Sequence, residues 1–241
     1  MSKRICVYQP NVFPPLHYFN RIMNSDIWVM LDDVQLNKKV GQTRFSLKIN
    51  GCEHLFTIPI PGGNRVKINA ASIAYHHDWI QRLQTTLHHA YRKSPYFEML
   101  WSAAIEYIHH HQRLNSSFQM FCEQFTVDML RKLGWHGEII GSAGLATEFK
   151  ASERIAEIVS KLEGSQYIGG GIGFELYVDL NHFRSRNLSV IVQDWKCPEY
   201  PQGKGNFVGN LSILDLISNV SLDDAKELLL AGGTTGWKRY E

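Results

Sequence analysis

RICVYQPNVFPPLHYFNRIMNSDIWVMLDDVQ, residues Arg4–Gln35, is the stretch on which the fold turns. Arg4 to Gln9 is short, β-branched and aromatic, and Pro10 and Asn11 stop it as they would stop a buried strand feeding a loop. After Pro14 and Pro15, Leu16, Phe19, Ile22 and Met23 recur at helical spacing through Asn24. IWVMLDDVQ then reads as a second buried strand ending in Asp32 and Asp33. A strand, a helix and a strand in this order build a parallel sheet through a crossover and leave their functional loops at the carboxyl ends of the strands.

Outward from that unit, FSLKINGCEHLFTIPI holds two alternating runs around Asn50 and Gly51, a hairpin signal. Asp78 opens a helix through Tyr91, and Pro95–His111 and Ser116–Leu133 are helical, the last closed by Gly134. Glu138–Ile140 and Ser165–Ile168 read as strands flanking a helix over Ser152–Glu163. Leu188–Gln193 is a further strand, the segment from Trp195 to Asn210 is long enough for a lid or binding loop, and Leu211–Ser218 is helical. The expected class is therefore α/β: a mostly parallel Rossmann-like sheet with a β-hairpin insertion and a helical middle segment. One domain is expected over residues 1–231, followed by a mobile tail over 232–241.

The 241 residues are 44% hydrophobic and 20% charged, enough for one sizeable core. Twenty-five basic against 23 acidic residues give a formal charge of +2, which supplies no global field for a nucleic-acid backbone. The 4 cysteines, Cys6, Cys52, Cys122 and Cys197, are widely spaced and read as buried thiols rather than a zinc or disulfide framework. No secretory leader and no run long enough to span a membrane is visible, so a cytoplasmic protein without membrane insertion is expected. The histidine runs do not converge on one ion, because adjacent helical residues diverge by about 100°, so no metal site is expected.

Several separated blocks carry a family resemblance. YQPNVFPPLHYF supplies Gln9, Pro10, Phe13, Pro14, Tyr18 and Phe19; SDIWVMLDDVQLNKK supplies Asp32, Asp33, Val34, Gln35 and Lys38; QTRFSLK supplies Gln42, Arg44 and Lys48. AYRKSPYF, YIGGGIGFELYVD and YPQGKGNFVGNLSILDLISN extend the pattern, the last with Tyr200, Pro201, Gln202, Phe207, Leu211, Ser212 and Asp215. Together they resemble the WbqC-like family from the first strand to the last helix. Departures are Thr43, where the pattern tends to Asn, Pro15 and His17, where it tends to Trp and Gly, and Gly169 with Gly170, where it has Ser and Gly. The resemblance implies a place in surface-polysaccharide, O-antigen type (lipopolysaccharide) biosynthesis, without a defined chemistry.

The residues themselves point to a ligand with phosphates and a sugar. Backbone amides at the start of a helix favour an anion, which draws attention to the loop holding Gln9, Asn11, Phe13 and Tyr18. Asp32 and Asp33 end a strand, where alternation sets them on opposite faces; Asp33, with Gln35, is placed to act as general base or to grip a sugar. Lys38, Gln42, Arg44 and Lys48 lie in the most basic stretch, and Arg44 and Lys48 share a hairpin face on which they can converge on a diphosphate. His89, beside Tyr91, is a second candidate base. Gly169 and Gly170 permit close backbone approach and lead to Tyr177, while Tyr200, Gln202 and Phe207 suit closure over a sugar.

The expected function is acyl or aminoacyl transfer to the amine of a nucleotide-linked amino sugar, with Asp33 or His89 removing the proton. The small-molecule partner is then the nucleotide sugar, the co-substrate an acyl or aminoacyl donor, and a homodimer is compatible with the chain. Two rivals stand beside it: a nucleotidyl- or adenylyl-transfer enzyme using ATP with magnesium at Asp32 or Asp33, and a noncatalytic scaffold of a polysaccharide-assembly complex. No P-loop, nucleophile elbow or Cys/His pair supports a kinase or hydrolase.

Overall fold

Alternation along the first two strands sends side chains to two different cores. In β1 (Arg4–Tyr8) and β2 (Ile27–Met30), Ile5, Val7, Ile27 and Val29 point to one face, and Cys6, Trp28 and Met30 to the other. A sheet apolar on both faces must be covered on both, as parallel sheets are. In the computed structural model, which describes residues 3–37, 41–76, 78–171, 178–232 and 237–240 without the Asn64 side chain, this is what the chain does. β1 and β2 pair in parallel across α1 (Leu16–Met23), and the sheet order is β5-β2-β1-β6-β7-β8, with β5 (Glu138–Gly141), β6 (Gln166–Gly170) and β7 (Ser189–Gln193) all parallel and β8 (Lys238–Tyr240) at the edge.

The chain leaves β1 toward β2, whereas β6 joins β1 on its other side, so the topological switch point lies at the carboxyl ends of β1 and β6. α1 fits one face with Leu16, Phe19 and Ile22 all at 0% exposure, each side chain contributing about 1.5–3 kcal/mol of burial. The other face is covered by α6 (Ala151–Lys161) and α7 (Asn181–Arg184) through Ile158, Val159 and Phe183.

The hairpin is β3 (Arg44–Ile49) with β4 (Cys52–Thr57), its turn made by Asn50 and Gly51 at φ 52° and 81°. Both central residues thus have positive φ, the condition for a turn whose twist matches the strands. β3 is half-buried and β4 is almost wholly exposed, so Cys52 faces solvent. The helical middle comprises α2 (Trp79–Tyr91), α3 (Phe97–Trp101), a π-helical turn over Ser102–Glu106, α4 (Tyr107–Leu114) and α5 (Phe118–Lys132). Gly134, at φ 80°, ends α5 with a Schellman pair of bonds to Arg131 and Leu130. α8 (Ile213–Asn219) and α9 (Leu222–Ala231) complete the chain's helices among the described residues, with Ser212 and Ser221 capping their first turns.

Three expectations change. Cys6 and Cys122 are buried, but Cys52 is exposed and Cys197 half-buried, because β4 turns its side chains outward at the sheet's edge. β2 stops at Met30, so Asp32 and Asp33 lie beyond the strand, where alternation no longer sets their direction. α9 was not apparent from the sequence, and residues 238–240, within the segment read as a tail, form β8 (Lys238–Tyr240), antiparallel to β7.

Candidate functional site

A cleft of about 880 Å³ is walled by the hairpin turn, the end of α2, the segment 201–205 and α8. None of its lining residues comes from the six-stranded sheet. Lys48, His89, Arg92, Lys93 and Lys204 line it, and Asp215 is the only carboxylate lining it among the described residues. Three blocks that carry the family resemblance, QTRFSLK, AYRKSPYF and YPQGKGNF with its following helix, meet here although they are far apart in the chain.

Asp215 forms the floor. It is 1% exposed, and its oxygens accept from the Tyr91 hydroxyl at 2.6 Å, the Tyr200 hydroxyl at 2.8 Å and Gln202 Nε2 at 3.1 Å. Burial pushes the carboxyl above its ordinary range, although these three donors and the charge of Lys48 pull it back. The tyrosines respond in kind: burial and the adjacent carboxylate push both phenols far up, so they stay protonated and donate. Tyr91 also accepts from the Lys48 backbone N–H at 2.9 Å, and Lys48 Nζ donates to the Gln202 carbonyl at 3.2 Å. Lys48 is itself only 7% exposed. β3, α2, α8 and the long loop are thereby tied to one carboxylate.

The long loop is held at several points. Gln202 spans it, donating to the Val208 carbonyl and accepting from the Val208 N–H, both at 2.8 Å; Trp195 Nε1 donates to Asn210 Oδ1 at 2.7 Å. Phe207 packs edge-on against Tyr200 with centroids 5.3 Å apart. A Cβ on Gly205 would lie 3.4 Å from the Gly51 Cα, so the loop tip rests beside the hairpin turn.

The remaining sequence-predicted residues lie elsewhere. Asp32 accepts from Ser142 Oγ at 3.0 Å, the Ala143 N–H at 2.9 Å and Gln119 Nε2 at 3.0 Å. Asp33 accepts from Ser142 Oγ at 2.6 Å and pairs with Arg154 at 2.7 Å. Both aspartates thus reach the same serine, and the expected opposite-face arrangement does not hold. Burial pushes the Asp33 carboxyl up, but the hydrogen bonds from Ser142 and Arg154 outweigh it and hold it below its ordinary value. Gln35 is exposed and forms an isolated bridge with Lys67.

Arg44 and Lys48 line different cavities, so the expected convergence on one diphosphate is not found. Arg44 instead joins Asn11 and Phe13 in a smaller pocket beside β1 and α1. Gln9 accepts from the Gln42 amide, whose Oε1 accepts from the Asn37 N–H at 2.6 Å, lacing the first loop to the approach to β3. Phe13 and Tyr18 are 0% exposed; the Tyr18 hydroxyl donates to the Gln9 carbonyl at 3.0 Å. The space beside Gly170 is taken by protein, since a Cβ there would lie 2.4 Å from an Arg21 guanidinium nitrogen, and Gly169 is buried. Lys38 and Tyr177 lie outside the described residues.

Tyr91, Arg92, Lys93, Lys204 and Asp215 were not singled out as site residues. The signal for the first three was the run AYRKSP, which puts a tyrosine and two cations at the end of a helix. Asp215 was hidden because a carboxylate in a helix looks like any solvated one until its burial is known.

The chain belongs to the WbqC-like protein family, whose model matches residues 9–227. It is similar to the uncharacterized protein Rv1507c of Mycobacterium tuberculosis, at 24% identity over 230 residues, covering 92% of this chain and 95% of that protein. No solved structure matches. Among the described residues no helix is long and apolar enough to cross a membrane.

Proposed function

We propose that the protein is a transferase that adds an acyl or aminoacyl group to the amine of a nucleotide-linked sugar in surface-polysaccharide assembly. The observation that carries the reading is the cleft, in which five cationic or protonatable side chains surround a single buried, fully engaged carboxylate. Lys48, Arg92, Lys93 and Lys204 suit a diphosphate, and the 201–205 segment that lines the same cleft brings backbone groups beside it.

In this reading His89, exposed at the cleft, takes the proton from the sugar's amine as the C–N bond forms and the bond from the acyl carbon to its carrier breaks; the proton then passes to the departing carrier. Asp33 is the weaker base of the two candidates, because its ion pair with Arg154 must break before it can accept a proton. The nucleotidyl-transfer rival calls for magnesium-binding carboxylates near a triphosphate. Asp32 and Asp33 do not line the cationic cleft, and Asp215 already accepts three hydrogen bonds, so the geometry favours the sugar-nucleotide reading.

The test is a thermal-shift panel against nucleotide sugars, acyl-coenzyme A, and ATP with and without magnesium, since a ligand that binds only the native state raises its apparent stability. A nucleotide sugar should raise the melting temperature of the wild type and not that of a Lys93→Ala/Lys204→Ala variant, whose replaced side chains are exposed. A magnesium-dependent response to ATP with none to nucleotide sugars would replace this reading with nucleotidyl transfer. Silence toward every small molecule would favour the scaffold.

A further inference from the structure

The second cavity stands apart from the cleft and has a different chemistry. It measures about 280 Å³ and is lined by Tyr8, Asn11, His17, Arg44, Ser46 and Asn210 among others. That volume is enough for a small group such as a phosphate or a short carboxylate. Among the described residues Arg44 is the only charged side chain lining it, and no carboxylate pairs with that guanidinium. The Arg44 Nε is buried and has no hydrogen-bond acceptor. An unsatisfied buried donor costs about 1–3 kcal/mol, more when charged, so an unpaired guanidinium beside a cavity calls for an acceptor.

A second cation lies behind the same pocket. Arg21, 6% exposed, places its guanidinium 4.4 Å from the Tyr8 ring centroid and donates to Gln193 Oε1 at 3.0 and 3.3 Å, a neutral acceptor that leaves its charge unbalanced. Its charge reaches the pocket through two lining residues, Tyr8 and His17. His17 registers this: burial and then the Arg21 charge hold its imidazole down to about 4, so at neutral pH it is uncharged and can donate one N–H. Asn11 and Asn210 carry further amide donors into the same space.

We infer that the pocket between β1, the start of α1 and β3 is a second binding site, for a small oxyanion held by Arg44, and that it is distinct from the cationic cleft. The matching chemistry is a planar or tetrahedral oxygen cluster that accepts from a guanidinium fork, which a phosphate group and a short carboxylate share. The inference does not depend on what the cleft binds. It separates Arg44 from Lys48 in function as the fold separates them in space.

The test uses the full chain at fixed ionic strength, with inorganic phosphate and acetate as probes. In wild-type protein, the Arg44 Nε–Hε resonance should shift saturably on addition of phosphate or of acetate, and the ion with the tighter curve identifies the source. The Lys93→Ala/Lys204→Ala variant should keep that response, because its lesions lie in the cleft. Adding Arg44→Met to that variant should abolish any thermal stabilisation by the same ion. A wild-type Arg44 resonance indifferent to both ions overturns the assignment without reliance on any variant, and so does ion-induced stabilisation that survives Arg44→Met. A phosphate response confined to the cleft lysines would overturn it too, while leaving the reading of the cleft intact.

Discussion

Removing one hydroxyl, in Tyr91→Phe, tests whether the floor of the cleft is held together as described. The phenol donates to Asp215 at 2.6 Å and accepts from the Lys48 backbone N–H at 2.9 Å, so its loss leaves a buried carboxylate short of a donor and a buried amide short of an acceptor. A hydrogen bond to a charged group contributes about 1.5–3 kcal/mol, and an orphaned buried donor costs about 1–3 kcal/mol. Since the chain relaxes partly, the two together should destabilise by about 2–4 kcal/mol. Tyr200→Phe removes only the 2.8 Å bond to the other carboxylate oxygen and should cost less, about 1.5–3 kcal/mol. Urea unfolding followed by tryptophan fluorescence reads the difference: with a slope of about 3 kcal/mol per M, the midpoint for Tyr91→Phe falls by about 0.7–1.3 M at unchanged slope. In an Asp215→Asn background the Tyr91→Phe penalty should shrink, because the charge it served is gone. A midpoint within about 0.2 M of wild type, or a penalty unchanged by Asp215→Asn, would refute the network as the organiser of the cleft.

Three further outcomes are expected. The folded Asp215 carboxyl holds its proton more tightly than the unfolded one, so its contribution favours the fold at low pH and is lost as pH rises from the ordinary carboxylate value through the raised folded one; Asp33, held below its ordinary value, contributes in the opposite sense, with stability lost as pH falls through its folded value. Asp215→Asn should therefore steepen, and Asp33→Asn flatten, the loss of stability on acidification measured by urea midpoints at a series of pH values. Phe13, at φ 39° and 0% exposure, packs edge-on against Phe45, Phe121, Phe125 and Tyr107, and Phe13→Ala should cost about 3–5 kcal/mol by calorimetry or denaturation. Gly170→Ala should cost about 1–3 kcal/mol by driving a methyl group into the Arg21 guanidinium, and a variant as stable as wild type would show that Arg21 can move aside.

What the sequence by itself determined is what depends on neighbours along the chain. Apolar runs of strand length, helical spacing from Leu16 to Met23, the Asn50–Gly51 turn and the glycine after α5 are local, and they sufficed for an α/β chain with a parallel sheet, a hairpin insertion and a helical middle. The ordered blocks that carry the family resemblance were legible too, since they are strings of residue types. Boundaries were less legible: β2 ends at Met30 because the segment beyond it pairs with residues 66–69 rather than continuing the sheet.

Only the tertiary structure decided which polar residues meet. Arg44 and Lys48 share a strand face, yet the packing of the 200–212 segment across β3, with the Ser212 N–H on the Ser46 carbonyl, sends them to separate cavities. Asp33 looked like a base at a strand end, and Arg154, 121 residues away, turned it into half of an ion pair. Asp215 looked like an ordinary helical carboxylate, and burial beneath Tyr91 and Tyr200 made it the floor of a cleft. The physical reason is the same in each case: backbone preference is set by a few adjacent residues, whereas desolvation and charge pairing depend on groups that only folding brings within a few ångströms.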